Sequence, residues 1–256
     1  MYIRIFNTLN METDFKNRIK ELSLRAESRN IYTYTDFLSP SARREIETMP
    51  EGRNTYFFGG SEIAERTIAR FGNESEFGYT EEFPIKLLKI KPKSLKFSGT
   101  LCHRDFLGAL LGLGIERDKV GDIFVNNNTA FVFIAETLAD FIIKELTGVG
   151  RETVTVSVEE SLPYEFYPKT KETIINVSSL RLDAIIARLY NLPRETAQEM
   201  LKNSKVFADG ILLQKPFYEP KEGDVIAVRG LGKFVFNSVE GSSSKGRLFI
   251  KVTVYI

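Results

Sequence analysis

The rhythm of apolar and polar residues changes three times along the chain. In residues 12–28, Phe15, Ile19 and Leu22 recur at intervals of four and three, which predicts an amphipathic helix. Thr35 or Asp36 is placed to cap a short helix at 36–38. Ser39–Pro40 opens a further helix through SPSARREIETM, with Pro40 suited to its first turn. Tyr56, Phe57 and Phe58 read as a strand ended by Gly59–Gly60. Ser61 then caps a predicted helix over 61–72, in which Ile63, Thr67, Ile68 and Phe71 fall near one face. Residues 1–80 are thus expected to form a small α+β unit.

Residues 81–165 have a clearer order: a strand in FPIKLLKIKP, a helix in HRDFLGALLGLG, strands in DIFVNNN and AFVFIAE, a helix in TLADFIIKELTGVG and a strand in ETVTVSVEE. Asn126–Asn127–Asn128 supply the turn between the two central strands. Thr137 is the expected cap of the second helix and Gly148 its terminator. The order β-α-β-β-α-β is the ferredoxin-like pattern, which a common single-strand RNA-binding fold also uses. Lys89, Lys91 and Lys93 alternate along the first strand and predict a basic stripe on one sheet face. Phe131 and Phe133 share a parity. No Lys/Arg–Gly pair flanks them as in RNA-stacking sheets, so they are read as core.

The last stretch opens on a strand, TIINV, followed by helices in RLDAIIARLYN and RETAQEMLKN. In these, Leu182, Ile185, Ile186 and Leu189, then Ala197, Met200 and Leu201, face inward. Short strands follow: KVFA, a turn at Asp209–Gly210, ILL, a Pro/Gly-rich turn through 219–223, DVIAVRG and GKFVFNSVE. A tip, GSSSKG, leads to RLFIKVTVYI. Pro163 and Pro168 interrupt regular structure in SLPYEFYPKTKET and place a domain boundary there. The expected domains are 1–80, 81–165 and 176–256, and the fold class is α+β.

A chain of 256 residues, 43 % apolar and 27 % charged, has ample material for two or three cores. It has no apolar run long enough to cross a membrane, no secretory leader pattern, and a single cysteine, Cys102. Together these predict a cytoplasmic location. The net charge of +1 hides an asymmetry: residues 176–256 carry 12 basic and 8 acidic side chains, so the positive excess that draws a polyanion sits at that end.

Several chemistries find no support. There is no Gly-rich loop followed by Lys-Ser or Lys-Thr. With one cysteine and one histidine, a zinc set is not expected. GALLGLG lies inside a predicted helix rather than at a strand-to-helix turn, so its glycines are read as permitting close helix packing. Cys102 and His103 are adjacent, and neighbours on a helix do not face each other. Cys102 is read as a buried small residue and His103 as flanking a helix start. Asp105, Asp118 and Asp122 are read as caps of helices and turns. No catalytic residue, metal or cofactor is expected.

Residues 178–230 carry a denser pattern. Arg181–Leu182–Asp183 is followed by Arg194 with Ala197–Gln198, then by Lys205–Val206 and Asp209–Gly210 in a hairpin. Lys215–Pro216 comes next, and Gly223–Asp224–Val225–Ile226 closes the series. This resembles the alpha-L RNA-binding module, known from a small-subunit ribosomal protein (S-four) and also present in pseudouridine synthases and tyrosyl-tRNA synthetases. Three positions depart from the pattern: Pro193 where a serine usually starts the second helix, Ser204 where a glycine is common, and Asp209 where an asparagine is common. On the resemblance, the RNA-binding residues are Arg181, Arg194, Gln198, Lys202 and Lys205, with Lys215, Arg229 and Lys233 at the margin. Such side chains neutralise phosphates and release counterions.

With HRDFLGALLGLGIERDKVGDIFV preceding this module, the chain resembles the bacterial YlmH family over most of its length. That resemblance implies an N-terminal α+β region, a central ferredoxin-like (RRM-like) domain of RNA-binding type and a C-terminal alpha-L module. It also implies a role on large ribosomal subunits carrying stalled peptidyl-tRNA, in ribosome-associated quality control, with ribosomal RNA and tRNA as partners. Family genes lie among cell-division genes, so cell-division proteins are further candidate partners. Three readings follow: a non-enzymatic RNA-binding factor, which the residues favour; an RNA-modifying enzyme, for which no catalytic constellation is found; and a division-site adaptor whose partner is a protein.

Overall fold

In the computed structural model the described residues are 2–94, 100–215, 217–244 and 246–256, with side chains from residue 13 onward. Pro216, in the Lys215–Pro216 pair, and Lys245, in the predicted tip, therefore lie outside the described residues. The chain forms two compact units, Met1–Tyr167 and Pro168–Ile256.

The first unit begins with α1 (Tyr2–Arg29), β1 (Thr33–Tyr34), α2 (Pro40–Thr48), β2 (Thr55–Phe58), β3 (Ile68–Phe71) and α3 (Glu74–Phe77). Ser39 caps α2, its hydroxyl accepting the Ala42 N–H at 3.2 Å, with Pro40 in the first turn as expected. Two expectations fail. Residues 36–38 form no helix; Leu38 instead bridges to Thr67. The predicted 61–72 helix is a turn followed by β3, the central strand of the three-stranded sheet β1-β3-β2. All four β3 residues are buried, so the strand shows no alternation. Burial of both faces, Arg70 included, removes the alternation by which a strand is read from sequence.

The unit continues with β4 (Ile85–Pro92), α4 (His103–Gly112), β5 (Val120–Asn126), β6 (Thr129–Ala135), α5 (Ala139–Glu145), β7 (Gly148–Val149) and β8 (Glu152–Glu159). The sheet order β5-β6-β4-β8-β7 contains the split β-α-β arrangement of a ferredoxin-like fold. Asn127 and Asn128 take positive φ of 46° and 60° in the β5–β6 turn, a conformation asparagine tolerates. The second helix is shorter than expected. Thr137 lies in a 3-10 turn ahead of α5, and Gly148 does not end the helix but pairs with Thr153 at the start of β8.

Strand parity divides this sheet into two faces. Leu88 and Ile90 of β4 and Val132 and Ile134 of β6 pack with Phe106 and Leu110 of α4 and Ile142 of α5. On the other face, Leu87, Phe131 and Phe133 pack with Phe37, Ile68 and Leu162. Phe37 and Ile68 come from the first 80 residues. They share a core with the central sheet, so residues 1–167 form one unit where separate units at 1–80 and 81–165 were expected. A Cβ at Gly121 would lie 2.6 Å from the Phe37 ring, which shows how closely the two parts approach.

The glycines of α4 do not serve close packing: open space surrounds both Gly108 and Gly112, and nothing in the structure explains them. Cys102 is exposed rather than buried. It precedes α4 as its N-cap residue, and its N–H donates to the Asp105 carboxylate at 2.7 Å. His103 opens α4; partial burial and the nearby Arg117 charge lower its pKa, while Asp122 acts in the opposite direction.

The second unit contains β9 (Thr170–Val177), α6 (Leu182–Leu189), α7 (Arg194–Lys202), β10 (Val206–Ala208), β11 (Ile211–Leu213), β12 (Val225–Val228), β13 (Gly232–Ser242) and β14 (Leu248–Tyr255). All the strands join one antiparallel sheet, β11-β10-β12-β13-β14-β9. β9 pairs with β14 from Thr170 to Val177, so the unit begins at 168 rather than at 176. The hidden face of this sheet (Val206, Ala208, Ile226, Val228, Phe234, Phe236) packs against Leu182, Ile185 and Ile186 of α6 and Ala197 and Leu201 of α7.

Among the described residues no helix is long and apolar enough to cross a membrane.

Candidate nucleic-acid interface

α6 and α7 are joined by a tight turn in which Asn191 takes a φ of 51° and the Leu192 N–H returns to the Ala187 carbonyl at 2.8 Å. Pro193 holds the N-cap of α7 through its extended backbone, and its carbonyl accepts the Ala197 N–H at 3.2 Å. The absent serine therefore costs α7 a side-chain cap but not its start.

The two helices are locked by Asp183, whose side chain is wholly buried in the first turn of α6. Arg181 donates to it from Nε at 3.1 Å and Nη2 at 2.8 Å. Arg194 donates from Nε at 3.1 Å and Nη2 at 3.3 Å, and Gln198 from Nε2 at 2.7 Å. Burial alone would push the Asp183 carboxyl up; hydrogen bonds from Arg194, Gln198 and Arg181 outweigh it and hold the group below the usual carboxylate range. One carboxylate between two guanidinium groups leaves one positive charge in excess. The outer edges stay accessible, since the side chains of Arg181 and Arg194 are 26 % and 45 % exposed. The clasp occupies the Nε/Nη2 fork of each guanidinium and holds the group in place, leaving its remaining N–H donors for other acceptors such as phosphate oxygens.

Further cations join the same side. Arg194, Gln198 and Lys202 stand at successive i,i+4 positions and form one stripe along α7. The loop after β11 is drawn in by three hydrogen bonds: Gln214 to the Ser204 hydroxyl at 3.0 Å, Leu182 N–H to the Tyr218 carbonyl at 2.9 Å, and the Tyr218 hydroxyl to Asp224 at 2.6 Å. This sets the Phe217 ring under Arg181, whose guanidinium lies 4.0 Å from the ring centroid; Lys215, in the same loop, is exposed. Phe217 is a member of the surface that the sequence pattern did not reveal.

Not all eight predicted residues share this side. Phe207, Ala227 and Lys233 are cross-strand neighbours and have the opposite parity from the buried Val206, Ile226 and Phe234. Arg229 stacks over Phe207 at 4.7 Å and Lys233 over Tyr255 at 5.0 Å, on the sheet face away from α6 and α7. Lys205 sits at the end of β10, where its carbonyl accepts the Arg229 N–H at 2.8 Å. The structure therefore joins Arg181, Arg194 and Gln198 through Asp183, with Lys202 on the same stripe of α7 and exposed Lys215 in the loop that carries Phe217, while Arg229 and Lys233 lie on a second face and Lys205 at the strand end beside Arg229.

The other departures from the sequence pattern have backbone explanations. Ser204 has a φ of 57° and Asp209 a φ of 47°, left-handed values that glycine and asparagine take most easily and that Ser and Asp adopt at modest cost. The Asp209 carboxylate accepts the Val225 N–H at 3.0 Å and so joins the hairpin to β12.

In the central sheet, Phe131 and Phe133 are 1 % and 3 % exposed. Phe166 packs edge-on against Phe131 at 4.5 Å, and Phe124 against Phe133 at 6.3 Å. These rings are core, as expected, and are not presented for base stacking. Lys89 lies 5.5 Å from the Phe131 ring and 3.8 Å from Glu159, while Lys91 and Lys93 are exposed. Among the described residues no group of three or more His, Cys, Asp or Glu side chains is placed to hold a metal ion.

These features define a class: an α+β protein with a ferredoxin-like central sheet and a compact C-terminal unit bearing a fixed arginine pair. Residues 79–162 match the family model described as "Putative RNA-binding domain in YlmH". Over 219 residues the chain is 29 % identical to the Bacillus subtilis (strain 168) protein named "Ribosome-associated protein quality control protein P2", a match spanning 83 % of each chain. A solved structure, "Cell division protein ylmH from Streptococcus pneumoniae", aligns with a TM-score of 0.48 at 21 % identity, covering 58 % of this chain and 91 % of that one. The family-model match and the Bacillus relative together support a relationship to the YlmH family.

Proposed function

We propose that this protein is a non-enzymatic RNA-binding factor of ribosome-associated quality control, whose C-terminal unit is an alpha-L module engaging ribosomal RNA and tRNA on the large subunit. The observation that carries the reading is the Asp183 clasp, which holds Arg181 and Arg194 partly exposed, with Lys202 on the same stripe of α7 as Arg194. The name of the Bacillus relative supports the ribosomal setting. The central domain matches a family described as RNA-binding, which agrees with an RNA partner for the chain.

The arginines are poor choices for a charge-reversal test, because removing either leaves the buried Asp183 short of partners. Lys202 and Lys215 are exposed and lie outside the clasp, so Lys202→Glu/Lys215→Glu changes the surface charge without touching it. On sucrose gradients, tagged wild-type protein is expected with large subunits and the double variant at the top. Arg229→Glu, on the other sheet face, is expected to migrate as wild type. With purified RNA, the double variant should lower the slope of log affinity against log salt by about two. Wild type remaining at the top would contradict the ribosomal setting. Equal migration of all three proteins would contradict the surface.

A further inference from the structure

We propose that Phe217 is a stacking platform for one unpaired nucleobase of the bound RNA, an inference that rests on the RNA-binding reading of the C-terminal unit. Phe234 and Phe236 of this unit are buried, whereas Phe217 is 67 % exposed. A single exposed apolar side chain is ordinary on a protein surface, so exposure alone does not mark Phe217. Here the ring is held rather than loose. The Arg181 guanidinium lies 4.0 Å from its centroid, and that guanidinium is itself forked onto buried Asp183. The following residue is tied at two points, its carbonyl to the Leu182 N–H and its hydroxyl to Asp224.

The occupant follows from the surroundings. The ring is flanked by Arg181 and by Lys215, two residues away, and Arg181 is clasped together with Arg194. A protein segment docking on a lone aromatic in a cationic setting gains little, whereas a nucleotide offers a π-face and a phosphate together. A base inside a continuous duplex has both faces occupied by its neighbours. The ring therefore suits a base splayed from a loop, bulge or end. The clasp would hold the flanking phosphates, and Phe217 would select RNA with an unstacked nucleotide over plain duplex.

The test uses a convenient absence: the chain has no tryptophan, so Phe217→Trp installs a single emission reporter at the platform. The full-length variant is titrated with an RNA hairpin carrying a one-nucleotide bulge and with a blunt duplex of equal length. Quenching by the bulged RNA and not by the duplex is expected. Phe217→Ala, at an exposed position, should lose affinity for the bulged RNA by about 5- to 150-fold, keep its duplex affinity and salt slope, and be rescued by Phe217→Tyr. Unchanged affinity of Phe217→Ala for both RNAs would overturn the platform and leave the RNA-binding reading standing. Failure of wild type to bind either RNA would overturn both.

Discussion

Asp183→Ala is expected to destabilise the C-terminal unit by about 3 kcal/mol, at the lower end of the cost of breaking a buried ion pair because Arg181 and Arg194 keep part of their hydration. The substitution removes the acceptor of five hydrogen bonds and leaves two like charges close together. Hydrogen exchange at the amides of α6 and α7 measures the loss. RNA affinity should fall with it, because the forks lose their alignment, and a merely structural aspartate would not predict that after refolding by osmolyte. The pH dependence has a definite sign. Asp183 has a folded-state pKa below its ordinary value, so its stabilisation is complete above the unfolded carboxyl's value of about 3.9 and drains away as pH falls through the lower folded value. Asp183→Asn should flatten that acid limb while leaving the neutral-pH fold in place. An unchanged acid limb would show that the clasp contributes nothing through its charge.

The second large effect lies in the first unit. Phe131→Ala is expected to cost about 3–5 kcal/mol, the range for deleting a buried aromatic ring, since Phe131 is fully enclosed by Leu87, Phe37 and Phe166. Denaturant unfolding followed through the first unit measures it. Protein that remains folded should bind RNA as wild type does. In a sheet that stacks bases on its phenylalanines the outcome is reversed, with stability nearly intact and binding lost. The two results separate a covered sheet from a working RNA platform.

The sequence pattern reached some of these features and missed others for identifiable reasons. The central β-α-β-β-α-β order was legible because strand-length apolar runs are set off from helical spacing and the turn between the two central strands carries three asparagines. The α6–α7 pair was legible because Leu182, Ile185 and Ile186 keep helical spacing. β3 was misread because Ile63, Thr67, Ile68 and Phe71 fall at helical intervals by coincidence, while a central strand buried on both faces has no alternation to betray it. The sharing of one core by residues 1–80 and the central sheet was invisible, because contacts such as Phe37 with Gly121 join positions far apart in the chain. In the candidate interface, residue types were visible and geometry was not. Arg181, Asp183, Arg194 and Gln198 stand in the sequence pattern, yet only tertiary structure shows that one carboxylate holds the other three. Arg229 and Lys233 were grouped with them by charge, whereas strand parity turns them to the other face. Phe217 gave no signal beyond being an aromatic residue in a polar turn.

Whether RNA binds on the α6–α7 side of the C-terminal unit can be read by lysine acetylation footprinting of the full-length chain, free and bound to purified large subunits, with mass spectrometry. Strong protection of Lys202 and Lys215 is expected, with little change at Lys91 and Lys93 of the central domain. Protection of Lys91 and Lys93 with Lys202 and Lys215 as reactive as in the free protein would contradict binding on that side.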